Sequence, residues 1–135
     1  MTGARGREPA VNLLRREFGL SGLVELRHQV ERRALDCGLR DMALYRFVVA
    51  VNEITTNAVR HGGGHGRLEL WRAARRLHCR ITDHGPGLPA GHRPRRPGTH
   101  DASGRGLWLA QQSCGDLTIE TGSRGTTVSL SVPAG

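Results

Sequence analysis

The chain has 135 residues, enough for one domain with a hydrophobic core and too few for two. No apolar run approaches the ~18–20 residues that cross a bilayer, and Met1 to Pro9 lacks the apolar segment of a secretory signal, so a cytoplasmic protein is expected. The net charge of +8 is carried by arginine alone, because the sequence has no lysine; the arginines are scattered, and the few aromatics do not interleave with the one dense cluster (Arg93, Arg95, Arg96), which argues against nucleic-acid binding by base stacking and for a solvated basic surface.

Residues 1–10 read as a flexible tail, and one domain is expected over 11–135. Val11 to Phe18 predicts a first strand, with Val11, Leu13 and Arg15 on one face. Ser21 is placed as an N-cap with Glu25 in the first turn. Leu23, Leu26, Val30, Ala34 and Cys37 then recur at helical spacing, and Gly38 stops the helix.

A second helix is predicted from Asp41, as N-cap, to about Arg60. Leu44, Phe47, Val51, Ile54 and Ala58 form its apolar stripe. Glu53 and Asn57 lie together off that stripe, facing solvent or a polar cavity. Gly62-Gly63-Gly64 ends the helix and His65-Gly66 extends the break.

Two strands follow, Arg67 to Ala73 and Arg76 to Asp83, joined tightly through Ala74-Arg75. In the second, Leu77, Cys79, Ile81 and Asp83 share a face by period two, which sets a carboxylate at the end of an apolar row. Buried alone, such a carboxylate is costly and needs a partner or a ligand. Residues 84–103 form a loop rich in glycine, proline, histidine and arginine. A short helix opens at Gly104-Arg105-Gly106. Leu117 to Thr121 and Val128 to Val132 alternate as strands, joined by Gly122-Ser123-Arg124-Gly125. The order of elements predicts an α+β fold, a two-layer sandwich with helices on one face of a mixed, mostly antiparallel sheet.

Cys37, Cys79 and Cys114 are an odd number, widely spaced and without a Cys-x-x-Cys pair. Core packing is expected in place of a disulfide or a thiolate zinc site. Histidines are numerous, but His61-x-x-x-His65 straddles three glycines and does not offer helical metal-ligand geometry.

Three stretches carry chemistry. Glu53-x-x-x-Asn57 sets a carboxylate beside a carboxamide one turn apart. The amide oxygen is a hard neutral ligand suited to Mg2+, and the carboxylate can take a proton from a nucleophile; alone, the pair reads first as an ordinary exposed helix face. Asp83-His84-Gly85-Pro86-Gly87 ends a strand with an acceptor suited to an exocyclic amine, and its glycines allow close backbone approach or simply a turn. Gly104-Arg105-Gly106-Leu107 opens a helix whose free N–H groups suit phosphate.

Taken in order and followed by Gly125-Thr126, these stretches resemble the GHKL ATPase superfamily, and within it the short bacterial anti-sigma-factor serine kinases. The resemblance covers roughly residues 11–133 and is strongest at Glu53 to Gly62 and at Gly104 to Leu109. It implies the Bergerat ATP-binding sandwich with ATP and Mg2+ as cofactors. It assigns Asn57 to Mg2+ and Glu53 to the general base. Asp83 would bind the adenine amine, with Gly85 and Gly87 shaping the base pocket. Residues 88–103 would be a lid over the nucleotide. Gly104, Gly106 and Leu107 would lie at the phosphates, and Thr126, or Thr127 beside it, near the adenine.

The implied activity is phosphorylation of a serine or threonine on an antagonist protein, with a sigma factor as the competing partner and a homodimer allowed. No phosphoacceptor helix pair precedes the domain, so a histidine kinase is less expected. The rival reading is a non-catalytic ATP-binding interaction module.

Overall fold

A computed structural model of the chain describes residues 10–85 and 116–134. In chain order the described elements are β1 (Val11–Gly19), a single 3-10 turn (Leu20–Gly22), α1 (Leu23–Asp36), α2 (Asp41–His61), β2 (His65–Ala73), β3 (Arg76–Asp83), β4 (Asp116–Gly122) and β5 (Gly125–Pro133). The strands form one sheet in the order β1-β2-β3-β5-β4, and every neighbouring pair is antiparallel. Both helices lie on one face of it: α2 packs on β2, β3 and β5, and α1 packs on α2 and β1. The fold is the expected two-layer α+β sandwich.

Period-two alternation decides which strand residues enter the core. Leu68 and Leu70 on β2, Leu77, Cys79 and Ile81 on β3, and Val128 and Leu130 on β5 are all buried on the helix side. Leu26, Val30 and Ala34 of α1 and Phe47, Ala50, Val51, Ile54 and Ala58 of α2 meet them, as 3.6-residue spacing requires. Each large side chain so buried contributes roughly 1.5–3 kcal/mol. Thr55 shares this face because its hydroxyl donates back to the Val51 carbonyl at 3.0 Å, which satisfies it within the helix. Cys37 and Cys79 are buried in the core. Burial pushes the Cys37 thiol up; nearby Arg72 opposes this and Asp36 adds to it. Cys114 lies outside the described residues.

Four local expectations are corrected. In β1, Asn12 pairs with Trp71 and Leu14 with Leu70, so Leu13 is the extra residue of a bulge. The bulge shifts the alternation: Arg15 faces outward opposite Glu69, and Phe18 turns inward. His65 and Gly66 are strand, not a continued break. Gly66 pairs with both Phe18 and Asp83, and a Cβ there would come within 2.8 Å of the Phe18 ring. Ser21 does not cap α1; it sits in the 3-10 turn, and Gly22 holds the N-cap position without a side-chain bond. Asp41 is the first residue of α2 with φ 55°, and Arg40 precedes it in extended conformation. The Arg40 guanidinium turns back to donate to the Leu35 and Leu39 carbonyls, both at 2.8 Å, which ties the start of α2 to the end of α1.

The other face of the sheet is polar. Arg67 pairs with Glu17, Arg80 with Glu69 and Arg76 with Asp116, each across neighbouring or near-neighbouring strands. Trp71 stacks on its cross-strand partner His78 with ring centroids 5.2 Å apart. Exposed pairs of this kind contribute ~0–1 kcal/mol each; they keep this face suited to water. No described helix is long and apolar enough to cross a membrane.

Candidate functional site

The inward row of β3 ends at Asp83, whose neighbours in the sheet are Gly66 on β2 and Thr126 on β5. Asp83 is 7% exposed, which is low for a carboxylate. Its Oδ1 accepts the Gly85 N–H at 3.0 Å and the Thr126 N–H at 3.2 Å. These two bonds answer part of the desolvation cost of a buried acid. Oδ2 accepts nothing from the described residues.

Helix α2 ends against this carboxylate. A Cβ at Gly62 would stand 2.5 Å from Asp83 Oδ2 and 2.6 Å from the Ala58 carbonyl, so only glycine lets the helix end come so close. Gly85 presses in turn on the backbone of Gly62 and Gly63; a Cβ there would lie 2.6 Å from Gly62 Cα and 2.8 Å from Gly63 N. Gly125 has φ 138°, and a side chain there would run into the Asp83 carbonyl. Three glycines from separate segments thus close around one aspartate.

Between α2 and the sheet lies a cavity of about 20 Å3, lined by Ile54, Asn57, Ala58, Ile81, Asp83, Thr126 and Val128. Its walls are apolar apart from Asn57 on α2 and the adjacent Asp83 and Thr126 on the sheet. Asn57 Nδ2 is buried there with no hydrogen-bond partner among the described residues. The space has room for about one water molecule, so a larger ligand must widen it on entry.

The structure therefore brings Asn57, Asp83 and Thr126 to the lining of one cavity, with Asp83 and Thr126 in direct contact. Thr126 is buried and faces the cavity, while Thr127 points to the polar face of the sheet, where it borders a separate groove with Thr82 and Glu120. Glu53 is half-buried one turn before Asn57 on α2, outside the cavity lining. Gly87, Gly104, Gly106, Leu107, the proposed lid over 88–103 and its arginines lie outside the described residues. Thr121 carried no motif signal, and Gly62 closed the Glu53–Gly62 stretch without a role assigned to it. Gly62 looked like a helix stop, and its contact with Asp83 joins residues far apart in sequence.

Residues 19–132 match the model of the histidine kinase-like ATPase domain. The chain belongs to that family. The histidine kinase-like ATPase domain is thus the frame for the site, and it covers every described element from the end of β1 to nearly the end of β5. The histidine kinase domain of the blue-light-activated histidine kinase from Erythrobacter litoralis EL346 superposes with a TM-score of 0.52 at 19% identity, covering 87% of this chain and 68% of that one. The histidine kinase domain of the E. coli osmosensor EnvZ superposes with a TM-score of 0.50 at 15% identity, covering 93% and 91%. At these identities the likeness concerns the fold. No curated protein matches the sequence significantly.

Membership in an ATPase domain family makes ATP the ligand to fit. The donor set suits it: a carboxylate with one oxygen uncommitted, a buried amide without a partner among the described residues, and apolar walls that suit the faces of a base. Among the described residues no three His, Cys, Asp or Glu side chains gather as a metal site.

Proposed function

We propose that this chain binds ATP with its base against Asp83 and Thr126 and its Mg2+ at Asn57 on α2, and phosphorylates a serine or threonine of an antagonist protein, with a sigma factor as a second partner. The observation that carries the nucleotide reading is Asp83: its Oδ1 is held by two backbone N–H groups and its Oδ2 faces Gly62 beside the cavity. An acceptor fixed in this way selects an amine. When bound, Mg2+ and ATP supply the phosphoryl group and much of the charge neutralisation that its transfer needs.

The residues of this chain divide the remaining work. Asp83 accepts from the exocyclic amine of the base, and Ile54, Ala58, Ile81 and Val128 keep water from its faces. Asn57 offers its amide oxygen to the cation. Glu53, one turn away, would take the proton of the acceptor hydroxyl as that oxygen bonds to the terminal phosphorus and the bond from phosphorus to the bridging oxygen breaks, with ADP leaving with the electron pair. The partners rest on the likeness of Glu53 to Gly62 and of Gly104 to Leu109 to the anti-sigma-factor kinases.

A non-catalytic ATP-binding interaction module is the second reading. One observation favours it: Glu53 stands outside the cavity lining. Two measurements separate the readings. Calorimetric titration with ATP, with and without Mg2+, tests the site, and no binding up to about 1 mM, the upper end of ordinary substrate affinities, rejects it. Transfer from terminally labelled ATP to a captured antagonist tests the kinase. Labelled serine or threonine that disappears in Glu53→Ala supports it; ATP and partner binding without transfer leaves the module.

A further inference from the structure

Beside Asp83, the Thr126 hydroxyl lies 2.8 Å from the hydroxyl of Thr121, its direct cross-strand partner on β4. Thr126 is 6% exposed, while Thr121 stands on the edge strand in contact with solvent. A hydroxyl carries one proton and two lone pairs, so within this pair only one proton can lie along the shared line. We propose that Thr121 is a positioning residue that fixes the polarity of the Thr126 hydroxyl and so sets the choice of base. The proposal rests on reading the cavity as a nucleotide site.

Electrostatics sets the direction. Thr126 borders the same small cavity as the Asp83 carboxylate, and the negative charge draws the buried hydroxyl proton inward. The outward lone pair of Thr126 then needs a donor, and Thr121 supplies it. With that bond made, the cavity offers an acceptor, the Asp83 carboxylate, and a donor, Thr126 Oγ1, from neighbouring strands. Adenine carries an amine next to a bare ring nitrogen, N1, and answers both. Guanine carries a carbonyl oxygen and an N–H at the same places. It would set oxygen against carboxylate and proton against proton, a mismatch at two points. Without Thr121, Thr126 is free to turn its proton outward, and the discrimination weakens.

The test is calorimetric titration of the full chain with ATP, GTP and 1-deaza-ATP, in which N1 is replaced by carbon. Thr121→Val keeps the β-branched shape and removes the hydroxyl. It should lower ATP affinity by about three- to tenfold, the worth of one hydrogen bond, and narrow the ATP-over-GTP ratio. The loss should vanish with 1-deaza-ATP, and Thr121→Ser should restore wild-type values. An unchanged ATP-over-GTP ratio in Thr121→Val overturns the role of Thr121 alone. A loss shared by Thr121→Ser, or an equal loss with 1-deaza-ATP, assigns the effect to strand packing and overturns it too. Failure of the wild-type chain to bind ATP overturns the nucleotide reading and this proposal with it.

Discussion

Thr126 donates its backbone N–H to Asp83 Oδ1 across the β3–β5 pair at 3.2 Å, so the last rung of that ladder is tied to a side chain that also faces the cavity. The bond joins fold and recognition in one residue. Asparagine at 83 keeps an oxygen for Gly85 and Thr126 but turns the other head atom into a donor. Asp83→Asn should therefore fold, with a stability loss of about 1 kcal/mol. Affinity for ATP should fall by roughly ten- to a hundredfold, since an amine would meet an amine. Thermal melting and calorimetric titration of the same preparation check both halves. Unchanged ATP affinity rules out the amine contact.

Asn57 should show opposite effects on stability and binding. Its Nδ2 is buried without a partner among the described residues, an arrangement that costs the folded state about 1–3 kcal/mol where nothing answers it. Alanine removes that cost and is the better helix former by about 0.5 kcal/mol. Asn57→Ala is expected to hold or raise the melting temperature of the free chain. It should weaken ATP in the presence of Mg2+ far more than ATP with chelator. Equal losses in the two conditions would count against metal ligation.

Gly85 leaves no room for a side chain where it meets Gly62 and Gly63, because the neighbouring atoms are backbone and cannot swing aside. Gly85→Ala should cost about 1–3 kcal/mol and displace the N–H that holds Asp83 Oδ1, so ATP affinity should fall with it. A Cβ at Gly122 would meet nothing within 4 Å, and Gly122→Ala serves as the neutral comparison. Denaturant titration of the two variants measures the contrast, and similar midpoints would refute the close contact.

The β2–β3 turn offers a gain in stability. Ala74 and Arg75 have φ of 52° and 62°, the left-handed conformation that a tight hairpin demands and alanine tolerates poorly. Asparagine adopts it more readily. Ala74→Asn should stabilise the chain by about 0.5–1 kcal/mol and raise its melting temperature by ~2–4 °C. ATP binding should be unaffected, because the turn lies at the opposite end of β3 from Asp83. A lower melting temperature would argue that the side chain at 74 is held by something other than turn geometry.

Much of the fold was legible because period two and period 3.6 are local signals. Leu77, Cys79, Ile81 and Asp83 announced both a strand and the face that β3 buries, and the stripe from Phe47 to Ala58 announced α2. The bulge at Leu13 was hidden, because both it and Leu14 are apolar and either satisfies a simple alternation. Caps failed for a related reason. Ser21 and Asp41 have the right chemistry, yet the chain places Gly22 and Arg40 at those positions and turns the Arg40 guanidinium to α1 instead. At the site, Asp83 could be singled out because a carboxylate in an apolar row is costly. Asn57 could be suspected from its place off the apolar stripe. The role of Gly62 beyond a helix stop, and Thr121 altogether, could not, since their contacts with Asp83 and Thr126 exist only once the sheet and α2 have assembled.

The strand order has a consequence for how the domain opens. β3 lies in the middle of the sheet, held by β2 on one side and β5 on the other, whereas β4, among the described strands, is an edge with one partner. Local opening begins where the fewest bonds must break, so amides of β4 should exchange with solvent through fraying, and those of β3 only when the whole domain unfolds. Asp83 therefore sits on a strand that opens late and Thr121 on one that opens early. On warming, the cavity would then lose its ability to tell one base from another while the acceptor that holds the nucleotide is still in place.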